Sequence, residues 1–231
     1  MENLDIVYTI KQEGNNDELR YSLRTLTNLP HGKVWIFGHV PEWVKNVEER
    51  PMTQHGKNKW EKTADSLWSI ANEKDLSEDF ILFNDDFFVM TPQTELPYWF
   101  DRTLEERVKE FHSKGMISAY TYRLTDAAKA LKAHGKQTMN YELHLPMIFN
   151  KEKYKKLWEL YPNIGAKRSL YGNEYEVGGK QRPDCKVYQT YAKPNIKIDF
   201  LSTTDASFKN GQIGREIKRR FNTKSNYEQW P

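Results

Sequence analysis

Residues 80–90, Phe-Ile-Leu-Phe-Asn-Asp-Asp-Phe-Phe-Val-Met, constrain the fold more than any other stretch. Phe80 to Phe83 form a short, continuous apolar run rich in aromatic and branched residues, the pattern of a strand covered on both faces. The run stops on Asn84, Asp85 and Asp86, and Phe87 to Met90 resume the apolar character at once. Carboxylates between hydrophobic runs are partly desolvated, and each raises the other's proton affinity unless a cation lies between them. Such hard oxygen ligands suit a divalent cation of the magnesium or manganese type. In open α/β sheets ligands bind beyond the carboxyl ends of the strands, where this pair falls. Asn and Asp are also ordinary turn residues. On their own, these residues are compatible with a metal site and with a plain turn.

The chain of 231 residues is long enough for one sizeable core, or a core with an appended subdomain, and its 38% hydrophobic content is that of a globular protein. Its seven Trp and thirteen Tyr are mostly expected in the core, although aromatic-rich surfaces also stack on sugars or bases. A net charge of +3 is too weak to establish nucleic-acid binding, for which a local basic patch would be decisive. The single Cys185 excludes an intramolecular disulfide and fits a reducing compartment. The N-terminus has no secretory apolar region, and no apolar stretch approaches the roughly 20 residues that span a bilayer. A soluble, cytoplasmic protein is therefore expected.

Asp5 to Ile10 reads as a first buried strand. Asn16 can cap a helix whose first turn carries Asp17 and Glu18, favourable at the positive end of the dipole. Leu19, Leu23 and Leu26 supply its apolar stripe, while Arg20 and Arg24 share another face four residues apart. Paired arginines there suit a diphosphate through bidentate hydrogen bonds; a solvated flank pairing with Asp17 or Glu18 is the alternative. Lys33 to Gly38 is the second strand, and a helix from about Trp60 to Asn72 places Ala64, Leu67, Trp68 and Ala71 inward. Before it, Gly56-Lys-Asn58-Lys59 forms a loop at a helix N-terminus, where an anion can bind. Strand and helix alternating over 90 residues predict a doubly wound, mostly parallel α/β half.

Beyond Pro92 the pattern is mixed. Thr103 to His112 reads as a helix, Gly115 to Tyr122 as a strand, and Thr125 as the cap of a helix ending near His134. Tyr141 to Phe149 is a second aromatic, strand-like run in which Pro146 implies an edge, a bulge or a strand end. His144 offers a ring nitrogen to a metal, or is a satisfied structural residue. Asn150 caps a helix to about Tyr161, and Arg168 to Asn173 lies in a second helix or loop. Residues 178–195 are rich in Gly, Lys and Pro and read as a mobile loop. A last strand, Ile196 to Leu201, precedes a turn at Ser202 to Gly211. The final helix, Ile213 to Phe221, carries Arg215, Lys218, Arg219 and Arg220, either as a solvated face or as a phosphate-binding surface. No linker divides the chain. One domain is expected over 1–231, with a nucleotide-binding half (1–92) and an acceptor and lid half (93–231).

Several of these pieces together resemble the Stealth family, sugar-phosphate transferases of capsule synthesis and of lysosomal-enzyme tagging. They are Asp5-Ile-Val-Tyr-Thr, Asp17-Glu-Leu-Arg-Tyr-Ser-Leu-Arg24, Trp35-Ile-Phe-Gly with Pro41-Glu-Trp43, Phe80-Ile-Leu-Phe-Asn-Asp-Asp-Phe-Phe, and His144-Leu-Pro146. They come in the family's order over about the first 150 residues. Phe200-Leu-Ser to Tyr227-Glu228 is similar to a shorter, phage-type version of the same architecture. Where longer members carry a Trp-Val-Asx-Gly turn after the first strand, this chain has Ile10-Lys-Gln-Glu-Gly14. The resemblance implies a GT-A-like fold and a metal-dependent transferase moving a sugar or sugar 1-phosphate from a UDP-linked donor to a hydroxyl acceptor. It implies Asp85 and Asp86 as ligands of Mn2+ or Mg2+, with His144 a further ligand or, like Asp86, a catalytic group. It also implies Tyr8, Thr9, Arg20 and Arg24 around the nucleotide and diphosphate; Asn58, in the anion-binding Gly-Lys-Asn-Lys loop, is a further candidate for donor binding.

Two other functions fit the same residues. The acceptor can be a hydroxymethylated base in DNA, flipped into the site and bound in a salt-dependent way, instead of a glycan. Alternatively, the chain is a nucleotide- or glycan-binding module that keeps the fold without the chemistry. On the transferase reading, the 178–195 loop is expected to close over the diphosphate, with Lys180 and Arg182 supplementing Arg20 and Arg24.

Overall fold

The computed structural model describes residues 4–11, 14–52, 59–162, 164–193 and 198–229, with 59 and 60 as backbone alone. Its first strand, β1 (Asp5–Ile10), lies at the centre of the main sheet and is buried on both faces. Ile6, Tyr8 and Ile10 enter one apolar cluster and Val7 enters another, so the period-2 alternation feeds two cores. Helix α1 (Asp17–Thr25) starts where expected: the Asn16 side chain accepts from the Leu19 N–H, and Leu19 and Leu23 pack beneath Ile6 and Tyr8. After a 3₁₀ turn, Leu26–Asn28, strand β2 (Val34–Gly38) returns parallel to β1. Gly38 has φ +113°, and a side chain there would collide with the Ile10 carbonyl, so this strand must end on glycine.

A short polar strand, β3 (Glu48–Arg50), extends the sheet beyond β2. Its residues have no apolar alternation, and Arg50 instead lies over the Trp35 ring and pairs with Glu73. Helix α2 (Lys59–Ala71) then crosses to β4 (Asp79–Phe83), which joins the other side of β1. Leu67, Ile70 and Ala71 of α2 pack with Val7, Trp35 and Phe37, in the cluster opposite the one holding the α1 leucines. Helices on both faces of a mostly parallel sheet make this the α/β architecture expected from the sequence.

The organising run is not one strand. After Asp85 and Asp86 the chain leaves the main sheet, and β5 (Phe87–Val89) belongs to a second one. Phe87 and Val89 still face the core of the main sheet, whereas Phe88 and Met90 face a separate cluster. A departure from expectation concerns residues 115–122, expected as a strand. After β6 (Trp99–Phe100) and α3 (Leu104–Ser113, opened by a Thr103/Glu106 capping box), α4 runs from Ala119 to Ala133. Its N-terminus is set by Ser118, whose N–H donates to Thr121 Oγ1 while the Thr121 hydroxyl donates back to the Ser118 carbonyl. Thr125 is inside the helix, its hydroxyl donating to the Thr121 carbonyl. Leu124, Ala127, Ala128 and Leu131 carry the helical period that decides the matter.

Strand β7 (Met147–Asn150) begins directly after Pro146 and pairs antiparallel with β4, giving the order β3-β2-β1-β4-β7. Helices α5 (Lys151–Leu160), capped by Asn150, and α6 (Lys167–Glu174) follow as expected. The segment from 178 is tied down by two short strands. β8 (Lys180–Gln181) pairs with β6, and β9 (Lys186–Val187) pairs with β10 (Phe200–Thr203), which also pairs with β5. Where a turn was expected after Ser202, α7 (Asp205–Lys209) forms, capped by Thr204, and α8 (Gln212–Arg220) packs on it. Among the described residues, no helix is long and apolar enough to cross a membrane.

Candidate functional site

The strand order reverses at β1. β2 and β3 lie on one side of it, and β4 and β7 on the other. In open α/β sheets ligands bind beyond such a point, and here the segments that follow β1 and β4 meet: the Ser22 hydroxyl donates to the Phe87 carbonyl and the Val89 N–H donates to Thr25 Oγ1. The chain after β1 supplies Asn16 and Glu18 to this region, and the chain after β4 supplies Asp85 and Asp86.

Asn16 does two jobs there. Its Oδ1 caps α1, and its Nδ2 donates to Asp85 Oδ2 at 2.8 Å. Burial raises the Asp85 proton affinity, the Asn16 bond opposes this, and the Asp86 charge raises it further. Asp86 has stronger partners. Lys186 Nζ lies 2.6 Å from its Oδ2 and the Ser202 hydroxyl donates to the same oxygen at 2.9 Å. Glu18 is the third carboxylate. It accepts from the Thr203 hydroxyl at 2.7 Å, and burial, reinforced by Asp85, Asp86 and Asp205, pushes its pKa up to about 7. Lys186, Ser202 and Thr203 all reach the acidic turn because β10 pairs with β5 on one side and β9 on the other.

A second constellation surrounds His144. Asp184 accepts twice from it: from the backbone N–H at 2.9 Å and at Nδ1 at 2.7 Å. The Cys185 thiol donates to the His144 carbonyl. Arg168 donates through Nη1 to the carbonyls on either side, Leu145 at 2.6 Å and Leu143 at 3.4 Å. Every backbone polar group from the Leu143 carbonyl to the Leu145 carbonyl that flanks the imidazole is thus fixed by another part of the chain, apart from the Leu145 N–H. Burial would raise the Asp184 pKa, but the His144 bond and charge and two backbone N–H groups hold it below the usual carboxylate range. With Nδ1 engaged by Asp184, Nε2 has no hydrogen-bond partner among the described residues, and the side chain keeps a third of its surface exposed.

One segment links the two constellations. Asp184 holds His144 and Lys186, two residues on, holds Asp86. The half-buried Arg168 guanidinium feels Glu142, Asp184 and Asp86 together, and desolvation lowers its proton affinity against their pull. The arrangement can therefore bind a cationic group or metal at the acidic turn and offer an oriented imidazole nitrogen nearby.

Other residues expected at the site have different surroundings. Tyr8 is fully buried, its hydroxyl bonded to Ser22 Oγ at 2.9 Å, so it is a core residue and lines no open pocket. Thr9 is half-buried near the carboxyl end of β1, opposite Phe37. Arg24 grips Glu228 through two hydrogen bonds of 2.8 and 2.7 Å and also donates to the Phe221 carbonyl. Arg20 lies over the Trp43 ring at 4.3 Å, with Asp17 and Glu228 each 3.7 Å away. The two arginines do share a face, but what that face meets is the C-terminal segment. Asn58 lies outside the described residues. Lys180 and Arg182 pair with Glu95 and Asp199, so neither joins Arg20 or Arg24. The cations of α8 are also engaged. Arg215 and Arg220 donate to the Asn210 and Met90 carbonyls, Arg219 pairs with Glu216, and Lys218 lies over Phe208.

From the sequence, Glu18 reads only as a helix-dipole residue, and Asp184, Lys186, Arg168, Ser202 and Thr203 are given no place at the site. None carries a local signal, since each acts through a partner distant in sequence. Among the described residues no three His, Cys, Asp or Glu side chains converge as a ready-made metal cage. Compared with known protein families and curated proteins, the chain matches no family model and no individual sequence.

Proposed function

We propose that the chain is a metal-dependent nucleotide-sugar transferase of GT-A-like architecture, moving a sugar or sugar 1-phosphate from a UDP-linked donor to a hydroxyl acceptor. The observation that carries this reading is the Asp85–Asp86 turn at the carboxyl end of β4, on the β1/β4 switch point, with Glu18 held close enough for their charges to raise its proton affinity. The donor set fits a hard divalent cation. Mg2+ in particular is commonly bound by one or two carboxylates together with substrate phosphates, not by an all-protein cage. The raised proton affinity of Asp85 is that of a buried carboxylate short of positive charge. When bound, Mg2+ or Mn2+ supplies neutralisation of the donor diphosphate and of the charge on the departing group.

The chain's own residues have separate tasks in this scheme. Lys186 and Ser202 fix the Asp86 carboxylate in one orientation. Asp184 accepts from Nδ1 of His144, which sets the tautomer and leaves Nε2 to take the proton of the acceptor hydroxyl. Arg168 and Cys185 keep the His144 backbone in place while this happens. The same Asp184 bond would orient His144 as a metal ligand, since ligating imidazoles ordinarily donate their other N–H to a carboxylate.

Calorimetry with UDP, with and without Mn2+, followed by a turnover assay over a panel of UDP-sugars, tests the reading. Metal-dependent UDP binding and release of UDP or UMP are expected, the nucleotide released telling sugar transfer from sugar-phosphate transfer. Folded Asp85→Ala and Asp86→Ala proteins that keep full donor turnover would overturn the assignment. Metal-dependent UDP binding without turnover on any donor would leave a binding module. The DNA-acceptor alternative draws no support from α8, whose four cations are engaged within the molecule.

A further inference from the structure

A carboxylate binds a hard divalent cation by offering it an oxygen lone pair and negative charge. Asp85, Asp86 and Glu18 differ in what already stands on them. Asp85 accepts from the Asn16 amide and Glu18 from the Thr203 hydroxyl, both neutral donors. Of the three, Asp86 alone has a cation in contact among the described residues: Lys186 Nζ lies 2.6 Å from its Oδ2. The Lys186 and Asp86 side chains are only 16% and 14% exposed, so salt and solvent screen the pair little.

Asp86 does not depend on that ammonium for its place. Ser202 is the register partner of Lys186 across β9 and β10, and its hydroxyl donates to the same Oδ2 at 2.9 Å. The Asp86 carbonyl accepts from the Thr203 N–H, and Phe87, next in the chain, pairs with Ser202 in the β5–β10 ladder. The backbone ladder and the Ser202 hydroxyl therefore hold the aspartate from two directions. Lys186 reaches it from β9, a strand of two residues, on a flexible four-carbon stem that carries a compact charge. A change of rotamer withdraws the ammonium and leaves the ladder intact.

We propose that Lys186 is a built-in competitor of the divalent cation: its ammonium and the metal contend for the Asp86 carboxylate, and Lys186 sets how tightly the acidic turn holds a metal. This rests on the metal-dependent reading of Asp85 and Asp86. A carboxylate oxygen has two lone pairs, and on Oδ2 Lys186 and Ser202 engage both, whereas Oδ1 accepts from no described residue. A metal that grips both oxygens has to displace the ammonium. One that takes Oδ1 alone still meets a positive charge on the same carboxylate, and the two cations repel each other in a poorly screened site. Either way the charge of Lys186 lowers the metal affinity, and its removal raises it.

The test is calorimetric titration of Mn2+ alone, without nucleotide, into the full chain as wild type, Lys186→Met, Lys186→Gln, Lys186→Arg and Asp86→Asn/Lys186→Met. Thermal melting checks their folding, and titration of UDP with Mn2+ is the parallel measurement. Mn2+ binding tighter by about tenfold or more in Lys186→Met and Lys186→Gln, unchanged in Lys186→Arg and no tighter than wild type in the double variant, is expected. Lys186→Gln keeps an N–H donor for Oδ2, so it reads the charge alone, and it decides the matter if Lys186→Met does not fold. Mn2+ affinity equal to or below that of wild type in the folded neutral variants, a gain shared by Lys186→Arg, or a gain that survives Asp86→Asn would each overturn the competition. If the neutral variants gain Mn2+ affinity but no protein binds UDP, the competition stands and the nucleotide-sugar reading fails. If UDP binds with Mn2+ and the affinity for Mn2+ is indifferent to Lys186, the competition fails while the donor site stands. No Mn2+ binding by any of these proteins would overturn both.

Discussion

Arg24 is the residue for which a ligand role and a structural role make opposite forecasts, so Arg24→Met is the most informative single change. Its guanidinium is 8% exposed and the Glu228 carboxylate 0%, so solvent screens their contact little. Losing Arg24 removes two charge-assisted hydrogen bonds to Glu228 and those to the Phe221 and Asn222 carbonyls. It leaves the buried carboxylate with Ser225, at 2.9 and 3.2 Å, and with the more distant Arg20. Breaking a buried pair by removing one partner typically destabilises by about 3–5 kcal/mol. The loss is bounded by the free energy of docking residues 222–229, which are also held by the Tyr227 hydroxyl on His31 and by backbone bonds to Trp43 and Lys45. Urea denaturation should show a loss of about 3 kcal/mol, near the lower end because the tail can detach locally before the core unfolds. Hydrogen exchange at Lys45 and Gln229, whose N–H groups bond across this seam, should accelerate in step. Arg24→Met/Glu228→Met should recover part of the loss, since no unpaired buried charge remains. Arg24 holds Glu228 below the ordinary value of 4.5 against the opposing effect of burial. A depressed carboxylate stabilises fully above that value and loses its contribution as pH falls through the folded one, so the wild-type advantage should shrink below about pH 4.5. A loss under about 1 kcal/mol, with UDP affinity collapsing instead, would refute the structural role and return Arg24 to the donor site.

Three further outcomes follow from the site and the packing. His144→Ala should lower transferase turnover by about 10²- to 10⁴-fold with UDP–Mn2+ binding retained, as loss of a general base does; an unchanged rate would remove His144 from the chemistry. Glu18 has its pKa raised to about 7, so its contribution to stability is complete below 4.5 and lost as pH rises through 7. Glu18→Gln should therefore gain about 1 kcal/mol over wild type at pH 8, allowing for partial exposure, and nothing at pH 4.5; a pH-independent difference in urea midpoints would contradict this. Gly214→Ala puts a methyl group into the Phe208 carbonyl where α8 crosses α7, and should cost about 3 kcal/mol by overpacking; a melt matching wild type would show that the two helices separate freely.

Much of the first half was legible because its determinants are local. The Asn16 cap, the leucine stripe of α1 and the apolar runs of β1, β2 and β4 each declare themselves within a few residues, and each is found. Strand β3 was not, because Glu48 to Arg50 carries no alternation and is recruited by pairing with β2. The apolar residues after Asp86 read the same whether they continue a strand or begin one elsewhere. What diverts them is the pairing of Leu201 with Phe88, 113 positions away by their numbers.

The same contrast divides the candidate site. Its acidic turn was legible because two carboxylates between apolar runs are conspicuous in any sequence. The groups that pair with those carboxylates were not, because they arrive from segments with no signature of their own. Lys186 and Asp184 lie in a stretch whose glycine and proline content pointed to mobility. Within it β9 pairs with β10, which lies between β5 and β9, and this brings Lys186 and Ser202 to one oxygen of Asp86. Two residues earlier in the same segment, Asp184 takes both the N–H and Nδ1 of His144. His144 was conspicuous alone, yet a lone histidine is equally a ligand, a base or a packed ring, and it is the Asp184 bond that leaves Nε2 as its open nitrogen. A substitution that loosened β9 without touching either carboxylate turn or imidazole would therefore be felt at both.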